Sequence, residues 1–191
     1  MIPKRIQRRL TRLLLALLIT MVGIYLNDNP QKQTQINSTI PLGSYRVVEF
    51  ADGDTISVDM NGRIERVRFI GVDTPETHDP RKPVQCFGQA AAEFTKNLIG
   101  DRPVRLEADT LSTNRDRYDR LLRHVYTQDN KLVSAEIIKH GYGFAYLSFP
   151  FSKLDEFKNL EKEARDNNRG LWSGCQPYLD KDGYIHSNSS E

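Results

Sequence analysis

The sequence predicts an α+β domain: a small barrel of five antiparallel β-strands with three α-helices packed on it. Three observations predict it. Apolar and polar residues alternate over 55–60 and again over 63–70, the period of a half-buried strand. Apolar residues recur at helical spacing over 87–98 and 154–164. The elements then run β-β-β-α-β-β-α-α, so a helix separates two groups of strands.

Each element has a local reason. "SYRVVEFA" from Ser44 is a strand stopped by the turn "DGD". "TISVDM" puts Ile56, Val58 and Met60 on one face, and "NG" at 61–62 is a two-residue hairpin turn. "RIERVRFIGV" places Val67 and Phe69 on one face and Arg66, Arg68 and Ile70 on the other. The slip between Ile64 and Val67 suggests a bulge. "TPETHDPRKPVQ", with three prolines, is a loop. A helix follows, with Phe87, Ala91, Phe94 and Leu98 as its apolar stripe and Gly100 as its stop. "RPVRLEAD" and "RLLRHVYT" are two further strands, joined by the polar "TLSTNRDRYD". "KLVSAEIIKHG" is a short helix ending at Gly141. A third helix carries Leu154, Phe157, Leu160 and Ala164, with Ser152 and Asp155 as a capping box and Gly170 as its end. Five strands in two groups, with a helix after the third, are the OB-fold arrangement.

The flanks are of another kind. Residues 1–26 hold Lys4, Arg5, Arg8, Arg9 and Arg12, no acid, and an apolar run over 13–26. As a helix that run is roughly 21 Å long, short of the ~30 Å hydrocarbon core, a length that suits a signal peptide. No small-x-small cleavage site follows, so the segment reads as a signal peptide or an uncleaved membrane anchor. Either reading puts the chain outside the cytoplasm, secreted or tethered to the outer face of the membrane. Residues 27–43 are a polar linker rich in Gln and Asn, 44–178 are the domain, and 179–191 are expected to be a flexible tail. Of 27 bases, five fall in the leader, leaving 22 against 25 acids, about −3 for the rest. A polyanion would therefore be met by a local basic patch or a metal, not by a general positive field.

Cys86 and Cys175 lack C-x-x-C or His-rich partners, which argues against zinc. In an exported chain an even count suggests a disulfide; two free buried thiols are the alternative. His78, His124, His140 and His186 show no metal-ligand spacing, and there is no G-x-S-x-G elbow or P-loop.

Three clusters carry chemistry. "DGDT" at 52–55 is a turn with two carboxylates. "VRFIGVDTPET" at 67–77 ends a strand in Asp73 and Glu76, with Arg68 ahead of them. "NRDRYDRLL" interleaves Arg115, Arg117 and Arg120 with Tyr118. Each alone is an ordinary charged turn or loop. Together they read differently. Oxygen donors without clustered histidine suit a hard divalent cation such as Ca²⁺. Paired arginines suit a phosphate. A metal, a carboxylate and two guanidiniums make a phosphodiester hydrolysis site.

"DGDT", "VRFIGVDTPE", "RDRYDR" and "GLW", in that order over roughly 45–175, resemble the staphylococcal nuclease (thermonuclease) family. The resemblance implies an OB-fold, Ca²⁺-dependent endonuclease of DNA and RNA that leaves 3′-phosphate products, expected as a monomer. It implies Asp54 and Asp73 as carboxylate ligands of Ca²⁺ and Thr74 as a backbone-carbonyl ligand. Glu76 would position or deprotonate the attacking water, and Arg68 and Arg120 would hold the scissile phosphate. Arg117, Tyr118 and Tyr146 would contact the terminal phosphate and nucleotide ring. Asp52 is expected as a turn or supporting residue, and Arg81-Lys82 keep a basic substrate-contacting loop. Two positions depart from the family pattern: Asp119 stands where glycine is common, and Ser148 where a second tyrosine is expected. Arg68→Ala or Glu76→Ala is expected to cut turnover by orders of magnitude with the fold intact. The competing reading is a non-catalytic OB-fold module that binds nucleic acid or protein; a tethered adhesion domain would leave the site residues unexplained.

Overall fold

The computed structural model describes Pro3, Thr20, Met21, 43–77 and 83–189. The chain divides into two units, Met1–Thr39 and Ile40–Glu191. Nearly all of the expected leader and of the linker lies outside the described residues, as do Arg81 and Lys82.

The strands of the second unit begin with β1 (Ser44–Asp52), β2 (Thr55–Met60), β3 (Arg63–Phe69), β4 (Val72–Asp73), β5 (Val104–Glu107) and β6 (Leu121–Tyr126). A closed barrel forms in the order β1-β2-β3-β6-β5. All seams are antiparallel except β3–β6, which is parallel, with Val67 opposite Leu121 and Arg68 opposite Leu122. Between β3 and β6 lie helix α1 (Gly88–Ile99) and β5, and that crossover brings β6 back in the direction of β3. α2 (Val133–Lys139), β7 (Phe144–Ala145), α3 (Leu154–Asp166) and the single turn α4 (Leu171–Gly174) follow. β7 pairs with β4 in a small separate sheet, because the chain turns at Ile70–Gly71 and the strand expected to run on to Val72 is broken there.

Inside the barrel Ile56, Val58, Val67, Phe69, Val104 and Val125 are fully buried or nearly so. The same core continues to the helices through fully buried Ile137 of α2 and Phe157 of α3, whose ring lies 5.3 Å from that of Phe151.

Three local expectations need correcting. β3 has no bulge: it pairs with β2 in unbroken register from Thr55–Arg68 to Met60–Arg63. The inward position belongs to Glu65, not Ile64. Glu65 is buried because Arg63 Nε (2.6 Å) and Arg115 Nη1 (3.0 Å) neutralise it. The bond from Arg115 holds its pKa below the usual carboxylate value despite burial. The register shifts fall in β1 instead, at Val47/Glu49 and Phe50/Asp52. Second, Ser152 does not cap α3. Its hydroxyl (2.6 Å) and its amide (2.8 Å) both donate to Asp109 Oδ2, which also meets His124 Nε2 at 2.8 Å. Third, α3 ends at Asp166 with Asn167 as its C-cap, and Gly170 is the N-cap of α4 rather than the end of α3.

The region read as a flexible tail also differs. β8 (Tyr178–Leu179) and β9 (Ile185–His186) form a hairpin, and Ser187 beyond it is buried. The physical reason is attachment: Cys86 and Cys175 are bonded, with Cα atoms 5.9 Å apart, so the chain after α4 is tied beside α1.

Candidate active site

The floor of the site is built on strands. Asp54 follows Gly53 in the turn between β1 and β2. Thr95 of α1 donates to the Gly53 carbonyl at 2.6 Å, and Phe69 N donates to the Asp54 carbonyl at 2.9 Å. Gly53 cannot carry a side chain, because a Cβ would stand 2.9 Å from Thr74. Arg68, next to the end of β3, points away from Val67 and Phe69, as the alternation predicts. Its Nη1 lies 2.9 Å from Asp54 Oδ2 and donates to the Val72 carbonyl at 2.7 Å, while Nη2 donates to Asp73 Oδ1 at 2.7 Å. Asp54 Oδ2 also accepts from Thr74 N (2.9 Å) and Thr74 Oγ1 (3.0 Å). The structure therefore brings Asp54, Arg68, Asp73 and Thr74 into one cluster.

Charge explains why the cluster holds. Burial works against the Arg68 charge, but Asp54 and Asp73 outweigh it and raise its pKa above the ordinary arginine value. Burial pushes the Asp73 carboxyl up; Arg68 opposes this, and the charges of Asp54 and Glu76 add to it. The acids thus outnumber the guanidinium, an arrangement a cation would relieve.

Arg120 enters from the parallel seam. Leu122 is the partner of Arg68, and Arg120 lies just before β6, bonded to Asp116, whose charge also acts on Arg68. Asp116 anchors it: Oδ2 accepts from Arg120 Nε and Nη2, both at 2.7 Å. Asp116 Oδ1 accepts the amides of Tyr118 (2.9 Å) and Arg120 (3.0 Å), so one carboxylate shapes the whole "RDRYDR" turn. Within that turn Asp119 has φ 62°, the left-handed region that glycine favours. Arg117 stacks over the exposed Tyr118 ring at 4.8 Å, and Arg120 reaches the same ring at 5.4 Å. Arg115 goes elsewhere, to Glu65.

Glu76 stands on the loop after β4. Its amide donates to Gln85 Oε1 at 2.7 Å, its carbonyl accepts Gln85 N at 3.0 Å, and its Oε1 accepts Thr77 N at 2.9 Å. Asp52 Oδ1 accepts the Thr77 hydroxyl at 2.7 Å, so Asp52 supports this loop. Tyr146 follows β7, and its amide donates to the Gly71 carbonyl at 2.9 Å. Its ring stacks on Tyr184 of the C-terminal hairpin, with centroids 5.9 Å apart and planes at 19°. An aromatic partner is thus supplied although Ser148 is not a tyrosine.

The sequence reading missed Asp116, Gln85 and Tyr184. Asp116 left a signal, an Asp two residues before Tyr118 in a turn. Gln85 and Tyr184 left none, because their roles depend on contacts distant in sequence.

Among the described residues no group of three or more His, Cys, Asp and Glu side chains is arranged to hold a metal. The Ca²⁺ donors implied by the family resemblance, Asp54, Asp73 and the Thr74 carbonyl, are two carboxylates and one carbonyl, all hard oxygens. That set and the acid excess fit an alkaline-earth ion whose other ligands are water or substrate.

A family model described as Staphylococcal nuclease homologue matches residues 66–174, more than half of the chain. Thermonuclease of Staphylococcus intermedius is 37% identical over 157 residues, 81% of this chain and 90% of that protein. Thermonuclease of Staphylococcus hyicus is 32% identical over 171 residues, 89% of this chain and 99% of that protein. The SPbeta prophage-derived endonuclease YokF of Bacillus subtilis is 39% identical over 136 residues, 70% of this chain but only 43% of that longer protein. With relatives of this identity and coverage, and a family match that spans both Arg68 and Arg120, the chain belongs to the family of staphylococcal nuclease homologues.

Proposed function

We propose that the protein is a Ca²⁺-dependent endonuclease that hydrolyses phosphodiester bonds in DNA and RNA and leaves 3′-phosphate ends. The observation that carries this reading is the pair of carboxylate-supported guanidiniums beside the β3–β6 seam, Arg68 on Asp54 and Asp73 and Arg120 on Asp116, the Asp116 charge also acting on Arg68. Pre-positioned guanidiniums oppose negative charge as it builds on phosphorus, without reorganising at the moment of reaction. Arg68 and Arg120 hold the scissile phosphate. Glu76 orients the attacking water or takes its proton. Arg117, Tyr118 and Tyr146 hold the adjoining phosphate and nucleotide ring.

The Asp54 and Asp73 carboxylates and the Thr74 carbonyl would hold Ca²⁺. Bound there, the ion would supply Lewis-acid polarisation of a phosphoryl oxygen. The site's own chemistry is the gripping of phosphate and the aiming of water.

The test is cleavage of single-stranded DNA and of RNA by the purified protein in Ca²⁺, Mg²⁺ and EDTA, with the product ends identified. Cleavage in Ca²⁺ that EDTA abolishes, with 3′-phosphate ends and a rate lowered on the order of 10²–10⁴-fold by Glu76→Gln, is expected. Nucleic acid bound but left intact in saturating Ca²⁺ would instead favour a binding module. We place the protein outside the cytoplasm as a monomer, secreted or held at the membrane by its leader; the Cys86–Cys175 bond supports that location. N-terminal sequencing of exported protein distinguishes the two forms.

A further inference from the structure

We infer that Gln85 is a positioning residue for Glu76, and that the disulfide-tied C-terminal segment holds Gln85 in place. The inference rests on the reading of Glu76 as the group that handles the attacking water.

Glu76 is gripped through its backbone. Gln85 accepts its N–H through Oε1 at 2.7 Å and donates its own N–H to the Glu76 carbonyl at 3.0 Å. A single residue thus fixes both polar groups of the Glu76 peptide frame and joins the two ends of the intervening loop. The carboxylate is then set by the next amide, Thr77 N, whose side chain is held by Asp52. The fit is close: a Cβ on Gly88 would stand 2.9 Å from Thr77 Cγ2 and 3.0 Å from the Glu76 carbonyl.

Gln85 is held in turn from the far end of the chain. Gln85 and Ser189 form a β-bridge. Cys86 N donates to the Asn188 carbonyl at 2.7 Å, and Ser187 Oγ donates to the Cys86 carbonyl at 2.8 Å. Asn188 Oδ1 accepts Gln176 N at 2.9 Å, next to the Cys86–Cys175 bond. Buried Ser187 makes this a packed contact, not a surface touch. The order of support runs from the disulfide and 187–189, through Gln85, to the Glu76 backbone and its carboxylate.

Such support matters for rate because a misplacement of about 1 Å at a catalytic group can lower a rate by about 10²-fold. A merely structural strap would alter unfolding and leave turnover alone.

The experiment uses the full chain with Gln85→Leu, which removes the acceptor at similar size, and Gln85→Glu, which keeps one. Amide exchange at Glu76 and kcat, KM and Tm on single-stranded DNA with Ca²⁺ are measured for both. Gln85→Leu is expected to speed Glu76 amide exchange and lower kcat, each by roughly 10-fold or more. KM and Tm should move little, and Gln85→Glu should recover most of kcat. Cys86→Ser with Cys175→Ser, assayed well below its Tm, is expected to lower kcat in the same direction. Unchanged Glu76 exchange, or equal kcat for Gln85→Leu and the natural chain, would overturn the inference. A natural chain that cleaves nothing while the exchange change appears would overturn the Glu76 reading itself, and with it the catalytic role of Gln85.

Discussion

Arg68 and Glu76 lie eight residues apart in sequence, yet they are held by opposite means. Arg68 leaves a regular strand and is locked by its own side-chain bonds to Asp54, Asp73 and the Val72 carbonyl. Glu76 sits on a loop, and its backbone is held by a chain of contacts reaching to residue 189. The strand-borne half of the site is part of the barrel's stability. The loop-borne half can be loosened without unfolding the barrel. The same substitution therefore means different things in the two halves.

Arg68→Ala gives the largest expected effect, and it revises the expectation of an intact fold. Without Arg68, buried Asp54 loses its cation. Breaking a buried pair costs on the order of 3–5 kcal/mol, so urea unfolding should shift strongly while cleavage disappears. An unchanged unfolding midpoint would mean that Asp54 does not need its partner.

Removal of the disulfide addresses the other half. In the chain-entropy model, a loop closed across a separation of 89 residues is worth about 4–5 kcal/mol. Cys86→Ser with Cys175→Ser should lower stability toward that amount in urea titrations. A loss much smaller than this would show that the 187–189 contacts suffice alone.

Acid tests a third part of the domain, the Asp109 carboxyl held by Ser152, His124 and Leu111. Burial would raise the Asp109 pKa, but the bonds from Ser152, His124 and Leu111 outweigh it and depress the pKa well below the ordinary carboxylate value. A depressed folded pKa adds stability above the unfolded value of about 3.9 and loses it as pH falls through the folded value. Stability should fall below about pH 4, and Asp109→Asn should lower the plateau above that pH by about 1–3 kcal/mol. Parallel acid titrations for the two chains would remove Asp109 from this account.

The smallest effect is expected at Asp119. Its left-handed backbone suits glycine, so Asp119→Gly should stabilise by roughly 1 kcal/mol with cleavage retained. A loss of stability would show that the Asp119 contact with Arg115 outweighs the backbone term.

These differences explain what the sequence made legible. The strand-borne residues sit in short contiguous motifs, "DGDT" and "VRFIGVDTPE", where alternation alone sends Arg68 away from Val67 and Phe69. The five barrel strands were legible, but the parallel β3–β6 seam was not, because pairing between strands distant in sequence leaves no local pattern. Glu65 escaped the reading because an inward carboxylate is allowed here by Arg63 and Arg115, and Arg115 arrives from a segment fifty residues on, beside the neighbouring strand β6. Gln85 and Tyr184 escaped for a related reason: a hydrogen bond to a loop backbone, or a ring laid on another ring, has no period and no motif. The C-terminal region read as loose because it is polar and short of apolar residues. A disulfide and backbone hydrogen bonds hold it where a hydrophobic core does not.

The most direct test of the central claim is single-turnover cleavage of a defined single-stranded oligonucleotide in Ca²⁺ by Arg120→Ala, with its unfolding midpoint measured alongside. Arg120 is half-buried and pairs with a carboxylate that keeps its amide donors, so the fold should survive. The expected result is a rate lowered on the order of 10²–10³-fold with a nearly unchanged midpoint. Cleavage at the natural rate by folded Arg120→Ala would contradict the assignment of this face as the phosphate-gripping surface.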